Sequence, residues 1–173
     1  MALIVEDGTG VAGAESYASV DFADNYWTLR PHLAQSSAWL AETTSRKEGM
    51  LREATAYIDA TWGPHYRGVR AGYIQGLLWP RTGAVDETGY ELPALPAELP
   101  NVVCELVARA VSAPLSSDVS YEDAIKRLKA GSVEIEFVDS TTNRVVYGTT
   151  TQMLWGILDG TQDGASRPTW FWR

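Results

Sequence analysis

The fold class the sequence predicts is mainly α: a small helical bundle with a long ordered loop, a short β-hairpin, and extended N- and C-terminal arms. Three observations predict it. Residues 46–62 and 101–113 repeat apolar side chains at the helical period. Residues 63–100, between them, lack that period and are dense in Gly and Pro. From Val133 the period drops to two, with Val133, Ile135 and Phe137 alternating with Glu134 and Glu136. The 173 residues are 45% hydrophobic and 21% charged, which suits one packed core with appendages. The expected organisation is one helical domain over 1–159, with an arm at 1–16 and the long loop at 63–100, then a linker and aromatic tail over 160–173.

In chain order, Leu3-Ile4-Val5 suits a short strand, and the glycines after it suit a loop. Gly8-x-Gly10-x-x-Gly13 matches the dinucleotide fingerprint literally, but that motif needs a full preceding strand and a helix starting at once. The strand here is at most three or four residues, and residues around 33, where the motif needs an acidic residue on a second strand, read as helix end and loop, so the segment reads as a flexible N-terminal turn. Ser19 caps a first helix whose Phe22, Ala23, Tyr26 and Trp27 share a face, and Pro31 stops it. A short helical piece follows around Ser37–Ala41. Ser45 and Glu48 form a capping box for the next helix, where Met50, Leu51, Ala54, Tyr57, Ile58 and Trp62 make the apolar stripe until Gly63-Pro64.

Within the long loop, Val85–Tyr90 reads as a turn, and Pro93, Pro96 and Pro100 stiffen the approach to the next helix. That helix starts near Pro100–Asn101, carries Val102, Val103, Leu106, Val107, Ala110 and Val111, and closes at Pro114. A fourth helix, boxed by Ser120 and Asp123, is expected to bury Ala124, Ile125 and Leu128 and to end at Gly131, with Lys126, Arg127 and Lys129 in its last turn. The period-two strand from Val133 then turns over Asp139–Asn143 and pairs with Arg144–Tyr147. Thr151–Leu158 reads as a last short helix.

The stretch that organises the chain is Gln75–Gly83, which contains Trp79-Pro80-Arg81. Proline bars a helix interior there, and a loop tryptophan must bury its ring under its own domain or against a partner. Residues 62–81 interleave Trp62, Tyr66, Tyr73 and Trp79 with Arg67, Arg70 and Arg81 and contain no acidic residue. Such interleaving is the pattern of single-strand binders. It equally suits a loop whose aromatics close over the bundle while its arginines meet an adjacent subunit. The second reading is preferred, because the formal net charge of −8 repels phosphate chains. The loop is therefore expected to make much of the subunit contact, with Trp79 buried and Arg81 bonded to a carboxylate or carbonyl. The other candidate interface is the tail, where Trp170, Phe171, Trp172 and Arg173 follow a Gly160–Ser166 linker.

Chemistry-bearing constellations are scarce. Cys104 is the sole cysteine and lies in an apolar helical stripe, so no disulfide or zinc framework is expected. His32 and His65 lie apart beside prolines without metal-ligand spacing, and no nucleophile elbow or Walker loop occurs. The acidic pairs Glu6-Asp7, Asp86-Glu87 and Glu122-Asp123 read as solvated or capping groups. The expectation is a protein that is not an enzyme, with no catalytic residue, cofactor or metal. No signal-peptide pattern and no long apolar run occurs, so no membrane partner is expected, and production in a reducing cytoplasm is.

The opening Ile4–Tyr17 together with Trp79-Pro80-Arg81-Thr82-Gly83 resembles a family of tailed-phage proteins from the head-morphogenesis region, labelled DnaT-like single-stranded DNA-binding proteins. The helix order resembles phage head–tail connectors (adaptor or head-completion proteins), in which a small bundle forms a ring, typically twelvefold, beneath the portal. The resemblance covers most of residues 1–138 and implies a structural virion protein at the head–tail junction, made in the host cytoplasm. Its implied partners are further copies of itself, the portal, a tail or stopper protein, and packaged DNA passing through the lumen. The alternative it implies is a phage single-stranded DNA-binding protein. An acidic lumen lets DNA pass without adhering, whereas a single-strand groove needs the opposite charge, so charge favours the connector.

Overall fold

Helices α3 (Thr44–Trp62) and α4 (Glu98–Ala110) pack along one another and carry half of the buried apolar core; α4 also meets α1 (Val20–Thr28), α2 (Ala34–Leu40) and α5 (Gly148–Leu154). The computed structural model describes residues 2–115, the backbone of 127–130 and 133–136, and residues 148–159. The apolar stripes predicted from the sequence are the buried faces: Met50, Leu51, Ala54, Tyr57, Ile58 and Trp62 on α3 meet Val102, Val103, Leu106 and Val107 on α4. Fully burying one such aliphatic chain stabilises the fold by roughly 1.5–3 kcal/mol, so these stripes dominate folding. Cys104 lies among them, and burial pushes its thiol up to about 12, as befits a small hydrophobe.

Ser19 Oγ accepts from Phe22 N at 3.0 Å and starts α1 as expected, with Ala23, Tyr26 and Trp27 buried but Phe22 exposed. The cap of α3 differs from the expected Ser45–Glu48 box. Thr43 caps it instead, its Oγ1 accepting from Arg46 N at 3.4 Å, while Glu48 pairs with Arg52 at 3.7 Å. Ser45 lies inside the first turn, where its hydroxyl cannot take the N-cap role. Helix α4 begins at Glu98, so Pro100 sits in its first turn, where a missing N–H is harmless.

The long segment 63–97 is ordered by local pieces. A 3-10 turn at Gly63–His65 leads into β1 (Val69–Arg70), which pairs antiparallel with β2 (Arg81–Thr82) in the register Val69↔Thr82 and Arg70↔Arg81. The turn expected at Val85–Tyr90 is present: Asp86 Oδ1 accepts from Thr88 N and Tyr90 N at 2.8 and 2.9 Å.

A second ribbon corrects the end of the expected fourth helix. Residues Arg127–Ala130 form β3, antiparallel to β4 (Val133–Glu136), so Arg127, Leu128 and Lys129 lie in a strand and not in the last turn of a helix. Strand β4 is the alternating strand expected from Val133, and it pairs with the segment that precedes it in sequence. The rest of that expected helix (Ser120–Lys126), Phe137 with the Asp139–Asn143 turn, and Arg144–Tyr147 lie outside the described residues. So do the 160–173 linker and tail with Trp170, Phe171, Trp172 and Arg173.

Helix α5 passes into a 3-10 turn at Trp155–Ile157, burying Leu154, Ile157 and Leu158. That segment then runs beside the start of the long loop: Leu158 bridges Tyr66, and Asp159 N donates to His65 O at 2.7 Å.

Candidate functional site

The arm is a built turn and not the flexible one expected. Glu6 is buried, and its carboxylate accepts from Gly8 N, Gly10 N and Val11 N, each at 2.9 Å. Gly8 and Gly10 have φ of 97° and 82°, which turns successive N–H groups inward, the geometry of an anion-binding nest. The chain's own carboxylate fills that nest, so the glycine fingerprint offers nothing to a nucleotide phosphate. Of the solvated and capping readings of the Glu6-Asp7 pair, buried Glu6 takes the capping one, while its neighbour Asp7 is exposed and accepts from Thr9 N.

The arm lies against the loop. Gly76 N donates to Val11 O at 3.1 Å, Ala12 bridges Gln75, and a Cβ on Gly76 would run into the backbone of Ala14. Beneath both is Asp59 of α3. Its carboxylate accepts from Tyr17 Oη at 2.7 Å, Leu78 N at 3.0 Å and Tyr66 Oη at 3.3 Å, and Tyr17 Oη in turn accepts from Trp79 N at 3.2 Å. Burial, the largest influence, holds the Asp59 carboxyl above its ordinary value despite these three donors. Burial also raises both tyrosines, with the adjacent Asp59 charge acting the same way.

Trp79 is fully buried by its own chain, its ring edge-on to Tyr66 at 5.9 Å between centroids, and Pro80 beside it is buried as well. Arg81 fans out over backbone carbonyls: Nε donates to Arg67 O at 2.7 Å, Nη2 to Gly68 O at 2.6 Å and Nη1 to Leu78 O at 3.4 Å. Arg67 does the same, donating from Nε to Leu158 O at 2.8 Å and from Nη1 to Val85 O at 3.1 Å, with Glu87 at 3.8 Å. Arg70 gives one donor to Gln75 O at 2.7 Å and is otherwise exposed. Buried Gln75 pins the excursion between the strands: Oε1 accepts from Gly72 N at 2.7 Å, and Nε2 donates to Leu77 O at 2.9 Å and Pro80 O at 3.1 Å.

What this scaffold presents is a ribbon tip. Val69, Tyr73 and Ile74 are 66, 97 and 75% exposed around Arg70. The structure thus divides the basic–aromatic stretch. Trp62, Tyr66 and Trp79 face inward, Arg67 and Arg81 are engaged with the backbone, and Arg70 and Tyr73 remain at the surface. Glu6, Tyr17, Asp59 and Gln75 hold this arrangement; Gln75 opens the stretch singled out from the sequence, but none of the four was assigned this role. One signal was available: Asp59 falls between Ile58 and Trp62 on the buried side of α3, where a lone carboxylate demands partners.

Among the described residues, no three His, Cys, Asp or Glu side chains are grouped to hold a metal ion, and no helix is long and apolar enough to cross a membrane. A family model described as "Putative DnaT-like ssDNA binding protein" matches residues 1–169. The chain belongs to that family. The match runs through the Glu6 turn, the ribbon and the helical core. No curated protein and no solved structure matches the chain.

Proposed function

We propose that this protein works by protein–protein contact, as a self-assembling subunit of a phage head–tail connector that joins portal to tail around the DNA path. The observation that carries the reading is the division of the arginines. Arg67 and Arg81 aim their donors at carbonyls of their own chain, so the exposed tip offers Val69, Tyr73 and Ile74 with the single cation Arg70. Binding a single strand takes several free cations along a groove, whereas an apolar knob rimmed by charge suits a protein partner. A net charge of −8 adds to this, because DNA passing an acidic lumen does not adhere. The connector identity itself rests on the sequence resemblance, and the partners it brings are the portal, a tail or stopper protein and further copies of the chain.

A second reading, single-stranded DNA binding, is favoured by the family's description, which speaks to function more directly than anything behind the connector. Tyr73, fully displayed beside Arg70, would be its stacking platform. Three measurements on the full chain separate them. The connector reading expects rings in negative-stain images, co-sedimentation with portal, and oligonucleotide affinity no tighter than the roughly 10⁻⁴–10⁻⁶ M of non-specific binding. Tight, salt-sensitive oligonucleotide binding by a protein that neither assembles nor binds portal would replace it with the second reading.

A further inference from the structure

Among the described residues, the ribbon tip and an outward face of α1 are exposed apolar surfaces whose chemistry is complementary. On α1, Phe22, Asn25 and Leu29 are spaced three and four residues apart and so share one outward face, with Phe22 and Leu29 41 and 70% exposed. Asp21, exposed in the first turn, flanks that face. One surface is therefore apolar with a cation at its side, the other apolar with an anion. Elsewhere the chain favours acid: residues 62–81 contain three of the 14 basic residues and none of the 22 acidic ones. A basic apolar tip in an acidic protein finds its natural counter-surface on another copy.

We infer that the Val69–Ile74 tip of one copy docks on the Phe22–Leu29 face of α1 in the next, with Arg70 meeting Asp21. The inference rests on the self-assembling reading above and names the two surfaces it uses. The contact joins unlike patches, so each copy keeps one free tip and one free face. Heterologous contacts of this kind propagate head to tail and close into a ring where the rotation allows. The rigid tie of the tip through Gln75 and Asp59 favours such a fixed angle, because little loop entropy is lost on docking.

The test uses sedimentation velocity on the full chain. Tyr73→Asp with Ile74→Asp disables the tip, and Phe22→Asp with Leu29→Asp disables the face. All four positions are exposed, so thermal melts followed by circular dichroism should remain near wild type. Wild type should form oligomers, and each variant alone should need at least tenfold higher concentration to associate. Mixed one to one, the two variants should form a dimer that grows no further, because one intact tip meets one intact face. Arg70→Asp should also weaken assembly, and adding Asp21→Arg should restore it. Variants that assemble like wild type, or a mixture that stays monomeric, would overturn the inference while leaving self-assembly standing. A wild type that is monomeric throughout would overturn both this inference and the self-assembling reading. Loss of oligonucleotide binding in the tip variant with assembly unchanged would assign the tip to DNA instead.

Discussion

Leu51 and Ile58 of α3 share one buried apolar cluster with Leu106 and Val107 of α4, whereas the arm and long loop beside them are held by carboxylates, an amide and a guanidinium. The first region follows from non-directional burial that tolerates shifts in partner. The second depends on Glu6, Asp59, Gln75 and Arg81 each meeting several named donors or acceptors, where losing one side leaves the other unsatisfied. The helical core should therefore lose stability in proportion to volume removed. The platform should lose order locally, and most where a buried side chain takes several bonds.

Trp79 gives the sharpest break in that comparison, since it belongs to the loop by sequence and to the helical core by burial. Trp79→Ala removes a fully buried ring, and truncations of this kind cost about 3–5 kcal/mol. Chemical denaturation should show that loss in the whole chain, similar to Leu106→Ala at roughly 2–5 kcal/mol. A Trp79→Ala protein with wild-type stability and weaker assembly would return Trp79 to the interface role expected of it from the sequence.

The same contrast explains what the sequence made legible. The stripes of α3 and α4 repeat at a fixed period, so Met50 to Trp62 and Val102 to Val107 could be assigned from spacing alone. Ser19 was readable as a cap because its partner lies three residues away. Asp59 and Leu78 are nineteen residues apart, and Tyr17 and Asp59 forty-two, so no local pattern pairs them. The aromatics of 62–81 were legible as a cluster, but which turn inward is decided by the Asp59 and Arg81 networks. Tip and buried ring were therefore indistinguishable in advance. Strand β4 was legible from its period of two, but β3 was missed for a different reason: Leu128 fits a helical stripe and a strand equally well, and pairing with the adjacent strand decided it.

Glu6→Ala probes the platform alone. It strips the acceptor from three inward N–H groups, and a buried group left without a partner costs about 1–3 kcal/mol. Hydrogen exchange at Gly8, Gly10 and Val11 should accelerate at least about tenfold, the equivalent of 1.4 kcal/mol. Amides of α4 should change by no more than the drop in global stability. Faster exchange spread evenly over α4 would mean that arm and core unfold as one unit and would erase the distinction between the regions.

The smallest effect is a pH slope at Asp59. Its carboxyl is held above the ordinary value by burial, so the folded protein binds its proton more tightly than the unfolded chain. The stability from that difference is fully present below the unfolded carboxyl value, near 4, and is lost as pH rises through the higher folded value. Asp7, Glu15 and Asp86 run the other way. Hydrogen bonds from Thr9, Arg52 and Thr88 respectively lower them, so what they contribute is lost as pH falls through their folded values. The raw pH profile mixes both signs, and the informative quantity is wild type minus Asp59→Asn. Asparagine cannot titrate, so the difference should decline with rising pH above about 4 and then level off, with a slope of at most about 1.4 kcal/mol per pH unit for one proton. A flat difference curve would show that Asp59 titrates alike in the folded and unfolded chain. In that case the three donors offset its burial completely, and the platform would carry no more electrostatic strain than the helical core beside it.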